Sequence, residues 1–315
     1  MNVSLPKLST DQDKLDDHAQ TKPGCLYLVG TPIGNLGDLS PRAAAVLANV
    51  DIVAAEDTRR TLRLLNHLGL RKRLESYHEH NRSVKTPVLA GILQSGRTVA
   101  LVSDAGMPCI SDPGYELVSI CSGLGITVSV IPGPSAAIVA LAASGLVTDR
   151  FVFEGFLPAR GKSRQARLAE LSGESRTAVL YEAPHRLRRT LDDLAASGLG
   201  QRRLVLAREL TKRHEEYIRL TVAAAIERYR ECEPRGEYVL VIEGQTAFGR
   251  RITDADDEAQ AEEQNGPAGR QVADLLRESR GNGMSMKDAV RSAAAESGLG
   301  RNQIYKMAVE IWREM

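Results

Sequence analysis

Short apolar runs recur along this chain, and each ends in a loop built from Gly, Pro, Ser and Asp, with helix signals in between. That alternation limits the fold more than any other feature, because strand–loop–helix repeats bury their faces by closing into an α/β sheet. Residues 25–29 run into Gly30-Thr31-Pro32-Ile33-Gly34-Asn35, and residues 50–55 into Glu56-Asp57. Residues 98–102 lead to Ser103-Asp104-Ala105-Gly106, and residues 126–131 to Pro132-Gly133-Pro134-Ser135. Helices are expected from Pro41 behind a Ser40 cap, over 58–68 with Gly69 as the stop, and over 136–143.

Five further strand candidates follow at 151–153, 178–181, 204–207, 217–220 and 238–242. Too few helical patterns separate them for a parallel sheet, so a mixed sheet is expected. The fold class is therefore α/β, with two α/β domains at 23–147 and 148–250. A polar leader (1–22) precedes them. An acidic linker (251–266) and a helical tail (267–315) follow. The linker reading rests on six acids and no base in residues 253–265.

Composition sets limits on the partners. The 315 residues carry a net charge of +1, and no apolar run is long enough to span a membrane. Residues 1–22 contain no apolar signal core. The four cysteines, Cys25, Cys109, Cys121 and Cys232, are scattered, which argues against a disulfide framework or a zinc site and fits a reducing cytoplasm. His78-Glu79-His80 could place two rings on one face, but no third ligand follows at recognisable spacing, so a solvated loop is the expectation.

In α/β sheets ligands sit outside the carboxyl ends of the strands. The first loop, with Gly30, Gly34 and Gly37, is not the G-x-G-x-x-G dinucleotide fingerprint. Glu56 nevertheless falls where a ribose-binding acid would sit, which leaves a dinucleotide-dependent enzyme as a competing reading. No Walker A sequence occurs. The loop 103–114 repeats Ser-Asp-x-Gly; Asp104 directly follows an apolar strand and reads as a ligand, whereas Asp112 is either a ligand or a helix cap.

Seven motifs, taken in order, resemble a known family. They are residues 29–36 (Val-Gly-Thr-Pro-Ile-Gly-Asn-Leu), Ala55-Glu56-Asp57-Thr58-Arg59 with the 103–114 loop, and Ile131-Pro132-Gly133-Pro134-Ser135-Ala136. Phe153-Glu154-Gly155-Phe156-Leu157-Pro158, Tyr181-Glu182-Ala183-Pro184-His185-Arg186 and Arg208-Glu209-Leu210-Thr211-Lys212 complete the set. The chain is similar over residues 24–245 to the tetrapyrrole-methylase superfamily, the class III S-adenosyl-L-methionine (AdoMet) methyltransferases. Within that superfamily it resembles the branch acting on cytidine 2′-oxygens of 16S rRNA in the small ribosomal subunit. The resemblance implies AdoMet in a cleft between two domains, and a homodimer. It carries cofactor positions onto Pro32, Ser103, Asp104, Met107, Ser135, Ala136, Glu182, Glu209 and Gly236. The first loop lacks the glycine-richer signature of tetrapyrrole members, which points away from the alternative of a precorrin-type C-methyltransferase.

Methyl transfer to a ribose hydroxyl needs alignment and help with the proton. Asp57 and Lys212 are the catalytic candidates. Asp57 is a base or merely a cap for the helix at Thr58; Lys212 is a base if its pKa is lowered, or a cation facing the developing alkoxide. Residues 158–219 hold fourteen Lys or Arg against eight acids, a pattern that suits a phosphate backbone, though charge runs are also ordinary solvated faces. RNA contacts are expected from Arg59, Arg160, Lys162, Arg164 and Arg186. In the tail, two helices around Gly298-Leu299-Gly300 look like a helix-turn-helix, or a plain helical hairpin; Arg301 and Lys306 would sit on its second helix. A DNA-binding regulator with a ligand-sensing body is a further alternative, but RNA rather than DNA is the expected partner.

Overall fold

The computed structural model describes residues 21–254, 267–297 and 300–313. Most of the leader, residues 255–266 of the linker and the Gly298-Leu299 turn lie outside the described residues. The chain divides into two compact units, Met1–Gln245 and Thr246–Met315.

The first unit contains two five-stranded sheets. The first is wholly parallel, in the order β3-β2-β4-β1-β5, from β1 (Leu26–Val29), β2 (Ile52–Ala55), β3 (Arg73–Ser76), β4 (Val99–Val102) and β5 (Val128–Ile131). Its central strands are apolar throughout because both faces are covered. Tyr27, Val29, Val53 and Ala100 pack under helices α1 (Pro41–Asn49) and α2 (Thr58–His67). Leu26, Leu28, Ile52 and Leu101 face α3 (Arg82–Gln94) and α4 (Tyr115–Gly123). Strand β3 escapes the sequence pattern: Arg-Leu-Glu-Ser has no apolar run, as befits an edge paired only with β2.

The second sheet runs β6-β7-β10-β8-β9 and is mixed, as the sequence leads one to expect. Strands β6 (Phe151–Phe156) and β7 (Thr177–Glu182) are parallel, whereas β10 (Tyr238–Ile242) runs antiparallel to β7 and to β8 (Arg203–Arg208), and β9 (Glu216–Thr221) antiparallel to β8. One face packs on α6 (Lys162–Gly173), α7 (Pro184–Leu194) and α8 (Val222–Glu231) through Leu168, Leu180, Leu191, Leu206, Ala225 and Leu240. The other face, with Val179, Val205 and Val241, receives Ala137, Ala140 and Leu141 of α5 (Ala136–Ser144), the helix that follows β5. Helix α5 therefore ties the two sheets together. Each leucine-sized side chain buried in this way contributes roughly 1.5–3 kcal/mol.

The second unit holds three helices, α9 (Pro267–Gly281), α10 (Met286–Ser297) and α11 (Arg301–Arg313). They share a core of Val272, Leu276, Val290, Ala293, Ile304 and Ala308.

Candidate active site

The loops at the carboxyl ends of β1, β2, β4 and β5 converge on one end of the second sheet. Because β10 is antiparallel to its neighbours, Tyr238 stands opposite Glu182 and Arg208, so the start of β10 meets the ends of β7 and β8. The first and third loops are stitched by a bridge between Thr31 and Gly106, with N–H···O distances of 2.9 and 3.1 Å. Across the cleft, the Tyr181 hydroxyl accepts from the Ala137 N–H at the start of α5 (3.3 Å), while its ring packs edge-on against Phe153 and Phe156.

Two neighbouring cavities lie where these loops meet. The larger, about 510 Å³, is within the range of pockets that enclose a small molecule. Met107, Ile110, Phe156, Tyr181 and Val239 give it apolar walls. Its ionisable wall groups are Glu56, Asp104, Asp112, Glu182 and Glu237 against a single arginine, Arg60, with His185 beside them. The smaller cavity, about 280 Å³, shares Ile33, Arg60, Asp104, Ala105 and Glu237 with the first and adds Pro32, Gly34, Arg63, Ser103 and Lys212.

Of the expected cofactor positions, Asp104, Met107, Ser135, Ala136 and Glu182 line the larger cavity, and Pro32, Ser103 and Asp104 the smaller. Asp104 is fixed from both sides: one carboxylate oxygen accepts from the Asp57 N–H (3.0 Å), the other lies 3.4 Å from Arg60. Glu182 is buried and accepts from the Thr190 hydroxyl and the Ala183 N–H. Burial raises the Glu56 pKa, helped by Asp104. Burial, with repulsion from Glu56, pushes Asp112 up to about 7 despite a hydrogen bond from Ser103.

Glu209 and Gly236 line neither cavity. Glu209, in the left-handed region at φ 51°, accepts from the Glu237 N–H and from Lys212, both at 2.9 Å. Gly236, at φ +84°, lies so close that a Cβ there would stand 2.6 Å from Glu209 Cγ. Glu209 holds Lys212, and Gly236 leaves room for the Glu209 side chain.

Lys212 Nζ donates to Glu209 and, at 2.8 Å, to Glu237. Burial disfavours its charge, but the bonds to Glu237 and Glu209 outweigh it and the pKa is raised. Both bonds favour the charged ammonium. Asp57 is a cap: its carboxylate accepts from the Arg59 N–H (2.8 Å) and pairs with the Arg59 guanidinium, which holds it down at about 2. It lines neither cavity, and of the two roles expected of it the cap is the one its contacts show.

The expected RNA contacts divide as well. Arg59, 87% exposed, is tied to Asp57. Arg160 and Lys162 are exposed at the start of α6. Arg164 is corrected: it is only 3% exposed, and its guanidinium is bonded inside the fold to Asp193, Thr190 and the Pro158 carbonyl. It floors a third cavity of about 260 Å³ rimmed by Arg186 and Arg189. Arg186 is half-buried beside Glu182, 3.3 Å away. Arg301 and Lys306 are exposed on α11 of the second unit. Sequence reasoning passed over Arg60, Arg63, Tyr181 and Glu237, and left Glu56 and Asp112 undecided.

The sequence profile of the Tetrapyrrole (Corrin/Porphyrin) Methylases matches residues 25–226. The fold is that of a class III methyltransferase, the class whose methyl donor is AdoMet. Uroporphyrin-III C-methyl transferase from Thermus thermophilus, solved with S-adenyl homocysteine, shares the fold at a TM-score of 0.52 and 17% identity, over 69% of this chain and 96% of that one. Ribosomal RNA small subunit methyltransferase I of Synechocystis sp. is 48% identical over 91% of this chain and 98% of its own length. The protein of that name from Escherichia coli O157:H7 is 44% identical over 94% and 99%. The chain thus belongs to the tetrapyrrole methylase family, in the ribosomal RNA small subunit methyltransferase I branch.

Proposed function

We propose that this chain transfers the methyl group of AdoMet to the 2′-oxygen of a cytidine ribose in 16S rRNA of the small ribosomal subunit, acting in the cytoplasm as a homodimer. The observation that carries the reading is the charge contrast between two adjoining cavities, one dominated by carboxylates and one holding Arg60, Arg63 and Lys212. The names of relatives matched over nearly their whole length support RNA as the acceptor.

AdoMet is a sulfonium with an ammonium on its amino-acid end, so the carboxylate-rich cavity suits its charge and the apolar walls suit its adenine. When bound it supplies an electrophilic methyl group on a good leaving group. In this reading Asp104, Met107, Ser135, Ala136 and Glu182 hold the donor, with Pro32 and Ser103 in the adjoining smaller cavity. Asp112 and Glu56 add negative potential. The two α/β domains, 23–147 and 148–250, supply opposite walls.

The acceptor hydroxyl belongs in the smaller cavity, where Lys212 presents a fixed ammonium held by Glu209 and Glu237. As the 2′-oxygen forms its bond to the methyl carbon, the carbon–sulfur bond breaks and S-adenosylhomocysteine leaves uncharged. The hydroxyl proton passes to solvent water, while the cation stabilises the negative charge developing on the oxygen. Arg160, Lys162, Arg186, Arg301 and Lys306 remain as outer phosphate contacts. The test supplies full-length protein and radiolabelled AdoMet with unmethylated small subunits, or with free 16S rRNA. Label in the 16S rRNA is the expected result. AdoMet binding without label in either substrate would refute the assignment.

A further inference from the structure

Helix α2 turns two arginines toward the smaller cavity that sequence reasoning passed over. Arg60 and Arg63 are three residues apart, so they share one helical face, and both line the cavity, whereas Arg59 points away to its cap. The cations that line this space come from two distant segments of chain, α2 and the loop after β8. Two are already compensated: Lys212 by Glu209 and Glu237, Arg60 by Asp104. Arg63 is exposed and makes no ion pair among the described residues. Among the described residues Arg63 is therefore the lining cation of this cavity without an ion-pair partner.

The size of the space is informative too. At about 280 Å³ it has room for a sugar-sized group. Leu36, Ile33 and Leu64 provide apolar surface for a sugar face, and the arginines stand at the rim. A guanidinium with a free fork of N–H donors is suited to phosphate oxygens.

We infer that Arg63, with Arg60 beside it, grips a backbone phosphate next to the target nucleotide and so sets that nucleotide's ribose against Lys212. This rests on the proposed function, because the acceptor must be a polyanion. Arg63 is a positioning residue: it touches the acceptor strand, not the donor.

The test is steady-state kinetics of the full-length protein with saturating AdoMet and unmethylated small subunits, over a range of salt concentrations. Arg63→Ala should raise KM for the subunit about tenfold, the effect of losing one hydrogen-bonded charge. Its kcat should fall as well, because the ribose loses its alignment on Lys212, while AdoMet affinity should be unchanged. The slope of log KM against log salt should fall by roughly 0.7–0.9, the share of one phosphate contact. Arg63→Lys should keep the salt slope while recovering only part of KM, since a lysine restores the charge but not the fork. Arg71→Ala, at an exposed position just before β3, should match the wild type. Unchanged KM and slope in Arg63→Ala would overturn the inference alone. So would a fall in AdoMet affinity. A wild type that binds AdoMet but methylates no small-subunit RNA would overturn the proposed function and this inference together.

Discussion

Asp112 sits in the larger cavity with a carboxyl pushed up to about 7, against 3.8 for a free aspartate, and this gives the site a pH dependence of defined sign. Between these values the folded chain binds a proton that the unfolded chain does not, so stability falls as pH rises from about 4 to about 7. Asp112→Asn removes that slope and should be more stable than wild type above pH 7, by a few kcal/mol at most, read from denaturant midpoints at several pH values. Affinity for the cationic donor should move the other way. In the wild type it rises as Asp112 ionises through about pH 7, and in Asp112→Asn calorimetry should find this rise abolished. Lys212→Met should lower kcat by roughly 100- to 1,000-fold, the range for removing one preorganised group that stabilises a developing oxyanion, with donor affinity retained. Comparable kcat in that variant would exclude Lys212 from the chemistry.

At the scale of elements, the strands were the legible part and the reason is burial. Runs such as Leu26–Val29 and Tyr238–Ile242 are apolar on both faces because helices cover both sides of the first sheet, and helix α5 covers what would be an open face of the second. Strand β3 and helix α3 were not legible. The first is a polar edge, and the second carries Pro87 inside it and a weakly sided apolar pattern. Arg164 marks the limit of reading charge from sequence. Within a basic run it looks like its neighbours Arg160 and Lys162, yet packing of α6 on α7 takes it inside to Asp193, 2.7 Å away. Arg164→Met should destabilise the fold by about 1.5–3 kcal/mol, the cost of losing hydrogen bonds to a charged group whose partner Asp193 stays partly solvated, with a matching fall in Tm. Arg160→Ala should leave stability unchanged within about 0.5 kcal/mol.

Over the whole molecule, the two cavities are built from loops far apart in sequence. Asp104, Ser135 and Glu182 were legible as motif residues, but the partition into an acidic and a basic cavity was not, because it exists only once α2, the 103–114 loop and the start of β10 meet. Arg60, Arg63 and Glu237 stand outside any chemical motif and are placed by that packing alone. The unit ending at Gln245 contains both cavities, and the three-helix unit has its own core. A chain of residues 1–245 should therefore bind AdoMet as the full chain does. Its KM for the small subunit should rise, and its salt slope should be smaller through the loss of Arg301 and Lys306. Unchanged KM and slope would remove the helical unit from RNA binding.

The central claim is that a cytidine ribose oxygen receives the methyl group at the junction of the two cavities. It is tested most directly by nucleoside mass spectrometry of 16S rRNA after reaction of unmethylated small subunits with trideuteromethyl-labelled AdoMet. The expected result is one new labelled nucleoside, 2′-O-methylcytidine, lost in Lys212→Met. Label on a base carbon or nitrogen, or on the ribose of another nucleoside, would contradict it.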